Sequence, residues 1–160
     1  MKVYCPALAS GKFFPAKCAH RKTPGGRNVS PPIAWSDVPS DTKSFVVSII
    51  DRHAVSEFRV HWYVIDIPPT FREIPEGASG TRTKMPAGCT ELRSTSGEIG
   101  YSGPDPQRGT GPHEYAITVY ALNEANLSLG PYSSLFDCTV ALDGKVLASG
   151  TTIGVLEVRT

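Results

Sequence analysis

Asp51, His61, His113 and Tyr115 are the residues of this chain whose types and settings suit chemistry, because each stands at or near the end of an apolar run. Histidine offers N–H donors and a charge easily gained near neutrality. Tyrosine adds a hydroxyl donor. A carboxylate can hold a histidine's tautomer or repel a wrongly charged ligand. Brought together, such groups compose a pocket for a small anion. Gly103 would let a backbone N–H approach a phosphate with no side chain in the way.

Two other chemistries draw on the same residues. Asp51 and His53 lie two apart and share a face of an extended strand, so with His61 and His113 they make a His₃Asp set that zinc could take. The spacing matches no compact metal motif. A hydrolase would also use histidine and aspartate, but there is no G-x-S-x-G elbow and nothing specifies a nucleophile. No metal or cofactor is expected, and binding is favoured over turnover.

Strands must position these side chains. "KSFVVSIID" (43–51) is nearly continuous apolar and reads as a central strand, with Phe45, Val47, Ile49 and Asp51 on one face. "FRVHWYVIDIP" (58–68) reads as a second, with His61, Tyr63, Ile65 and Ile67 sharing a face. "HEYAITVYAL" (113–122) is a third, its face running His113, Tyr115, Ile117, Val119. "KVLASGTTIGVLEV" (145–158) gives one or two more, broken near Gly150 and Gly154; "KFFPAKCAH" (12–20) and "PPIAW" (31–35) are weaker candidates. If the three main strands are neighbours, the polar residues converge at one rim of the core.

One helix is expected over 133–145, with Ser134 as N-cap, Asp137 three residues on, Leu135, Cys138 and Leu142 on one face, and Gly144 ending it. The long segments 21–32 and 72–88 have no helical period and read as loops. With 15 Gly and 14 Pro among 160 residues, turns are frequent, and the expected architecture is one mainly β domain over 1–160. A net charge of +1 and the absence of a recognisable motif argue against nucleic acid. No apolar run is long enough for a membrane span or a signal-peptide core, so an integral membrane protein is not expected and a cytoplasmic one is. The four cysteines, Cys5, Cys18, Cys89 and Cys138, form no C-x-x-C pair and read as buried free thiols.

Three ordered motifs sharpen this reading: "NVSPPIAWSDVPSDTKSFVVSIID" (28–51), "VHWYVIDIP" (60–68) and "GYSGPDP…GPHEYAITVYAL" (100–122). Over nearly its whole length the sequence resembles the phosphatidylethanolamine-binding protein family, in its short bacterial Raf-kinase-inhibitor-like branch. The resemblance implies an antiparallel β-sandwich with one or two short helices and an anion pocket at one end. It implies pocket residues Asp51, His61, Gly103, Pro104, His113 and Tyr115. Such a protein would bind phosphate-like groups or phosphorylated head groups and regulate or inhibit a protein kinase or a serine protease. A protease inhibitor would present an exposed loop, for which 71–88 is the candidate, and a homodimer is compatible with the sequence.

The chain departs from the family pattern at the rim. The family's D-P-D/E-x-P is "DRHAV" (51–55) here, with His53 in place of the second acid; Arg59 stands where a tryptophan is usual; and His-Arg-Tyr becomes "HEY". One acid lost and a histidine and an arginine gained should make the pocket more positive, and losing the tryptophan removes a cation–π wall for an ammonium head group. A small anion or phosphorylated group is therefore expected in preference to phosphatidylethanolamine. If charged histidines hold it, affinity should fall as pH rises.

Overall fold

The computed structural model describes residues 1–159. Among the described residues eight strands form two sheets: β1 (Lys2–Tyr4), β2 (Ile33–Ser36), β3 (Ser44–Asp51), β4 (Val60–Ile67), β5 (Glu73–Ile74), β6 (Thr90–Glu91), β7 (His113–Leu122) and β8 (Val146–Leu156). The larger sheet has the order β6-β4-β3-β7-β8 and the smaller β1-β2-β5, with every named pairing antiparallel. The three strands expected to be neighbours are the centre of the larger sheet.

β3 and β4 read as almost unbroken apolar runs because both faces of the large sheet are covered. Phe45, Val47, Ile49, Trp62, Val64, Tyr115, Ile117 and Val119 pack against Ile33, Trp35 and Ile74 of the small sheet. The opposite face, with Val46, Val60, Tyr63, Ile65 and Leu122, packs against Cys138, Leu135 and Leu142 of helix α1 (Leu135–Leu142). Ser134 caps α1: its Oγ accepts from the Asp137 N–H at 3.0 Å, and the Asp137 carboxylate accepts from the Ser134 N–H at 2.9 Å. Single 3₁₀ turns at Ala16–Cys18 and Ala54–Ser56 complete the helical content of the described residues.

The structure changes several sequence expectations. β8 is one uninterrupted strand; its glycines are packing positions, since a Cβ on Gly150 would lie 2.8 Å from the Met1 carbonyl oxygen and one on Gly154 would strike the Phe14 ring. Segment 12–20 holds no named strand, only a 3₁₀ turn and isolated bridges made by Phe13. Two irregularities shift β4 against β3, where Ile49 pairs with Trp62 but Ile50 with Val60, and Phe45 with Ile67 but Val47 with Val64. His61 is the extra residue of the first. Its face therefore does not continue through Tyr63 and Ile65, which turn toward α1. Asp66, at φ 58°, lies in the second and brings Ile67 back to the inter-sheet core.

All four cysteines are free thiols; Cys5, Cys18 and Cys138 are buried and Cys89 is half-buried. Burial pushes the Cys18 thiol up to about 12 and that of Cys89 to about 11, so neither is a ready nucleophile. No helix among the described residues is long and apolar enough to cross a membrane.

Candidate functional site

Asp51 ends β3 directly opposite Tyr115 on β7, and β7 begins at His113. Residues two apart on a strand share a face, so this register sets Asp51, His113 and Tyr115 on the inter-sheet side at one end. The bulge turns His61 to the same side, where its ring meets Tyr115 edge-on at 5.2 Å. Four residues from three strands thus converge at one rim, and all four are almost fully buried.

The Asp51 carboxylate is saturated with donors. Oδ2 accepts from His113 Nδ1 at 2.7 Å and from the Ser56 hydroxyl at 2.6 Å, and Oδ1 accepts from the His53 N–H at 2.8 Å. Burial alone would raise its pKa; the bonds from Ser56, His113 and the His53 backbone outweigh burial and hold it below the usual carboxylate range. His113 is fully enclosed. Its Nδ1 faces Asp51, and its Nε2 lies 2.7 Å from the Thr110 hydroxyl. The expectation that His113 offers a ligand a free N–H is thereby corrected: both of its nitrogens are engaged within the protein.

His53 lies flat on His113, centroids 3.9 Å apart and planes 7° from parallel. The Val55 N–H donates to His53 Nδ1 at 3.2 Å, so the ring proton belongs on Nε2, which is 3.0 Å from the Thr110 carbonyl oxygen. Thr110 is held at both ends, its hydroxyl at His113 and its carbonyl at His53. The residue that replaces a family acid thus straps the 105–112 loop over the rim.

Gly103 and Pro104 also have structural tasks. The Gly103 N–H donates to Asn28 Oδ1 at 2.6 Å and is not open to a ligand. Glycine is required because a Cβ there would lie 2.6 Å from His20 N and 2.7 Å from the Ala19 carbonyl carbon. The Pro104 carbonyl accepts from the His20 N–H at 2.9 Å. This stretch welds the 18–28 loop to the rim.

Three buried side-chain polar atoms among the described residues have no hydrogen-bond partner, Trp35 Nε1 in the core and two at this rim. His61 Nδ1 donates to the Ser102 carbonyl at 2.7 Å, which leaves Nε2 as a lone pair; Nε2 and the Tyr115 hydroxyl are both buried without a hydrogen-bond partner. Burial lowers the His61 pKa and raises that of Tyr115, so a neutral imidazole stands beside a protonated phenol. The charges acting on both are Asp51, Asp105 and Arg59. The same three line a cavity of about 230 Å³, completed by Val55, Ser56, Pro106 and Gln107. Tyr115 pairs with Asp51 across the sheet, but neither it nor His61 is among the residues that line the cavity.

The cavity is less positive than the sequence suggests. Arg59 Nε sits 4.0 Å from Asp105 Oδ1, and Asp51 contributes a second carboxylate. Sequence reasoning missed Ser56, Thr110, Asp105 and Gln107. Asp105 stands in the "GPDP" motif and was open to notice; Ser56 lies five residues from Asp51 and Thr110 three from His113, in turns whose composition does not announce these contacts. Among the described residues no three His, Cys, Asp or Glu side chains are grouped to hold a metal ion, so the His₃Asp alternative finds no support in the geometry.

Comparison with known proteins bears on the family and the fold. The sequence model of the family described as phosphatidylethanolamine-binding protein matches residues 5–157. A UPF0098 protein of Aquifex aeolicus is 36% identical over 159 residues, covering 98% of this chain and 88% of the relative. The crystal structure of Escherichia coli YbcL, presented as a new member of the mammalian PEBP family, superposes with a TM-score of 0.90 at 29% identity, covering 98% of each chain. That of the homologue CT736 from Chlamydia trachomatis gives 0.79 at 28% identity, covering 98% of this chain and 96% of that one.

Proposed function

This chain belongs to the phosphatidylethanolamine-binding protein family, and we propose that it works by binding a phosphate-like anion or phosphorylated group in the rim cavity, without turning it over. The observation that carries the reading is the pair of buried, unpartnered polar atoms, His61 Nε2 and Tyr115 Oη, beside Asp51, which lines a cavity of about 230 Å³. A buried polar atom without a partner costs stability, and a polar ligand would recover it. His61 and Tyr115 would touch the ligand. Asp51, Ser56 and His113 hold the wall behind them. Arg59 would balance the ligand's charge. His53, Gly103 and Pro104 fix the loops that frame the opening.

A kinase or serine protease regulated by this protein would meet it through a phosphorylated segment or head group at the same cavity. Calorimetric titration of inorganic phosphate into the full chain tests the reading. Saturable 1:1 binding that weakens about tenfold or more in Tyr115→Phe, whose fold is kept, is the expected result. Equal heats in the presence and absence of protein would refute it.

A further inference from the structure

We propose that β8 is a self-pairing edge: a second copy of this chain adds antiparallel to it and joins two large sheets into one.

An open edge strand is a template for another strand, and proteins commonly guard it with charge, proline, a bulge or shortness. At one end of the larger sheet β6 is only two residues long. At the other end β8 runs eleven residues, Val146–Leu156, and holds neither a charged residue nor a proline. Its one irregularity lies near its start, between Val146 and Ala148, and Phe13 bridges to Val155 near its end. The middle is bare.

The hydrogen bonds at Val155 fix which backbone groups are open. Its N–H donates to the Lys12 carbonyl at 2.8 Å and its carbonyl accepts from the Phe14 N–H at 3.1 Å, so both face away from β7. From Leu156 back to Ala148 the register with β7 is unbroken, and the backbone groups of an antiparallel strand alternate sides. The N–H and C=O of Ser149, Thr151 and Ile153 therefore face away from β7 as well. No other backbone among the described residues bonds to them. Ser149 and Thr151 are exposed and Ile153 is half-buried.

The occupant that fits this edge is its own copy. A two-fold axis at Thr151 sets that residue opposite its counterpart and Ser149 opposite Ile153, so every bare N–H meets a carbonyl. With no charge on the strand, identical edges meet without like-charge repulsion. Thr151 already meets Thr118 through their hydroxyls at 3.0 Å, and a Thr–Thr pair across the axis extends that row. On the same face an apolar groove of about 550 Å³ runs between α1 and the sheet, lined in part by Tyr120, Leu142 and Val146. One strand pairing flanked by such a groove belongs to the small, reversible class of interfaces.

Sedimentation velocity on the full chain from about 5 to 500 µM should show a monomer–dimer equilibrium with a dissociation constant on the order of 10–100 µM. Amide hydrogen exchange reads the geometry. Ser149, Thr151 and Ile153 should slow several-fold at the higher concentration, while Gly150 and Thr152, which face β7, are slow at both. Thr151→Lys sets two ammonium groups across the axis at an exposed position. It should abolish the dimer and leave the urea midpoint near that of wild type. Should that variant not fold, the wild-type exchange pattern decides alone. A monomer at every concentration leaves the edge to an extended segment of another protein and overturns the proposal. So does a dimer in which those three amides stay fast.

Discussion

Replacing Asp51 by asparagine tests the most heavily bonded point of the site. The carboxylate accepts from His113, Ser56 and the His53 backbone at 2.6–2.8 Å while almost fully buried. Asparagine keeps the shape and one oxygen. Its amide nitrogen must then face either both His113 and Ser56 or the His53 N–H, and the charge is gone. One charge-assisted bond is worth about 1.5–3 kcal/mol, and an unsatisfied donor adds to the loss, so about 3 kcal/mol of stability should disappear at pH 7. For a chain of this size that is a fall in Tm of roughly 6–12 °C. The pH dependence gives the sharper check. The folded-state pKa of Asp51 is depressed, so its stabilisation is fully present above the unfolded value of about 3.9 and is lost as pH falls through the folded value. Urea unfolding of wild type and Asp51→Asn should therefore show a gap that is constant from about pH 5 to 7 and closes below about pH 4. A gap that persists unchanged in acid, or no gap at pH 7, would refute the account of Asp51 as a bonded, ionised carboxylate.

Tyr115→Phe should leave the ligand-free protein as stable as wild type or more stable by up to about 1 kcal/mol in a thermal melt, because the hydroxyl it removes is buried and unpaired. Gly103→Ala should destabilise by about 1–3 kcal/mol in urea unfolding, since the new methyl meets the rigid backbone of residues 18–20 rather than a yielding side chain. Asp105→Asn should change stability by less than about 1 kcal/mol, its ion pair with Arg59 being long and partly exposed. The same variant should tighten phosphate binding several-fold in calorimetry by removing a like charge from the wall. Ser134→Ala should lower the Tm by roughly 2–4 °C through loss of the α1 cap.

How far the sequence led depended on whether a feature obeys a local period. β3, β7 and α1 were legible nearly to the residue, since alternation and a capping pattern are written in consecutive positions. The face of β4 was not, because one extra residue at His61 inverts the side chains that follow it until the second irregularity at Asp66, and a bulge has no composition of its own. Which residues gather at the rim was legible from strand ends and family resemblance. What each one does there was not. Whether a histidine is free or engaged depends on partners such as Thr110 and Ser102, supplied by turns whose geometry the sequence does not spell out.

That distinction changes the meaning of the rim's unusual residues. Counted as charges, His53 and Arg59 predict a more positive pocket. Placed in space, His53 spends one ring nitrogen on Val55 and the other on Thr110 and stacks on His113, so it stiffens the wall without adding a donor to the cavity. Arg59 is opposed by Asp105. Asp51 adds a second carboxylate to the lining, so two acidic side chains face one cation, and the two substitutions that read as added positive charge leave the cavity without an excess of it.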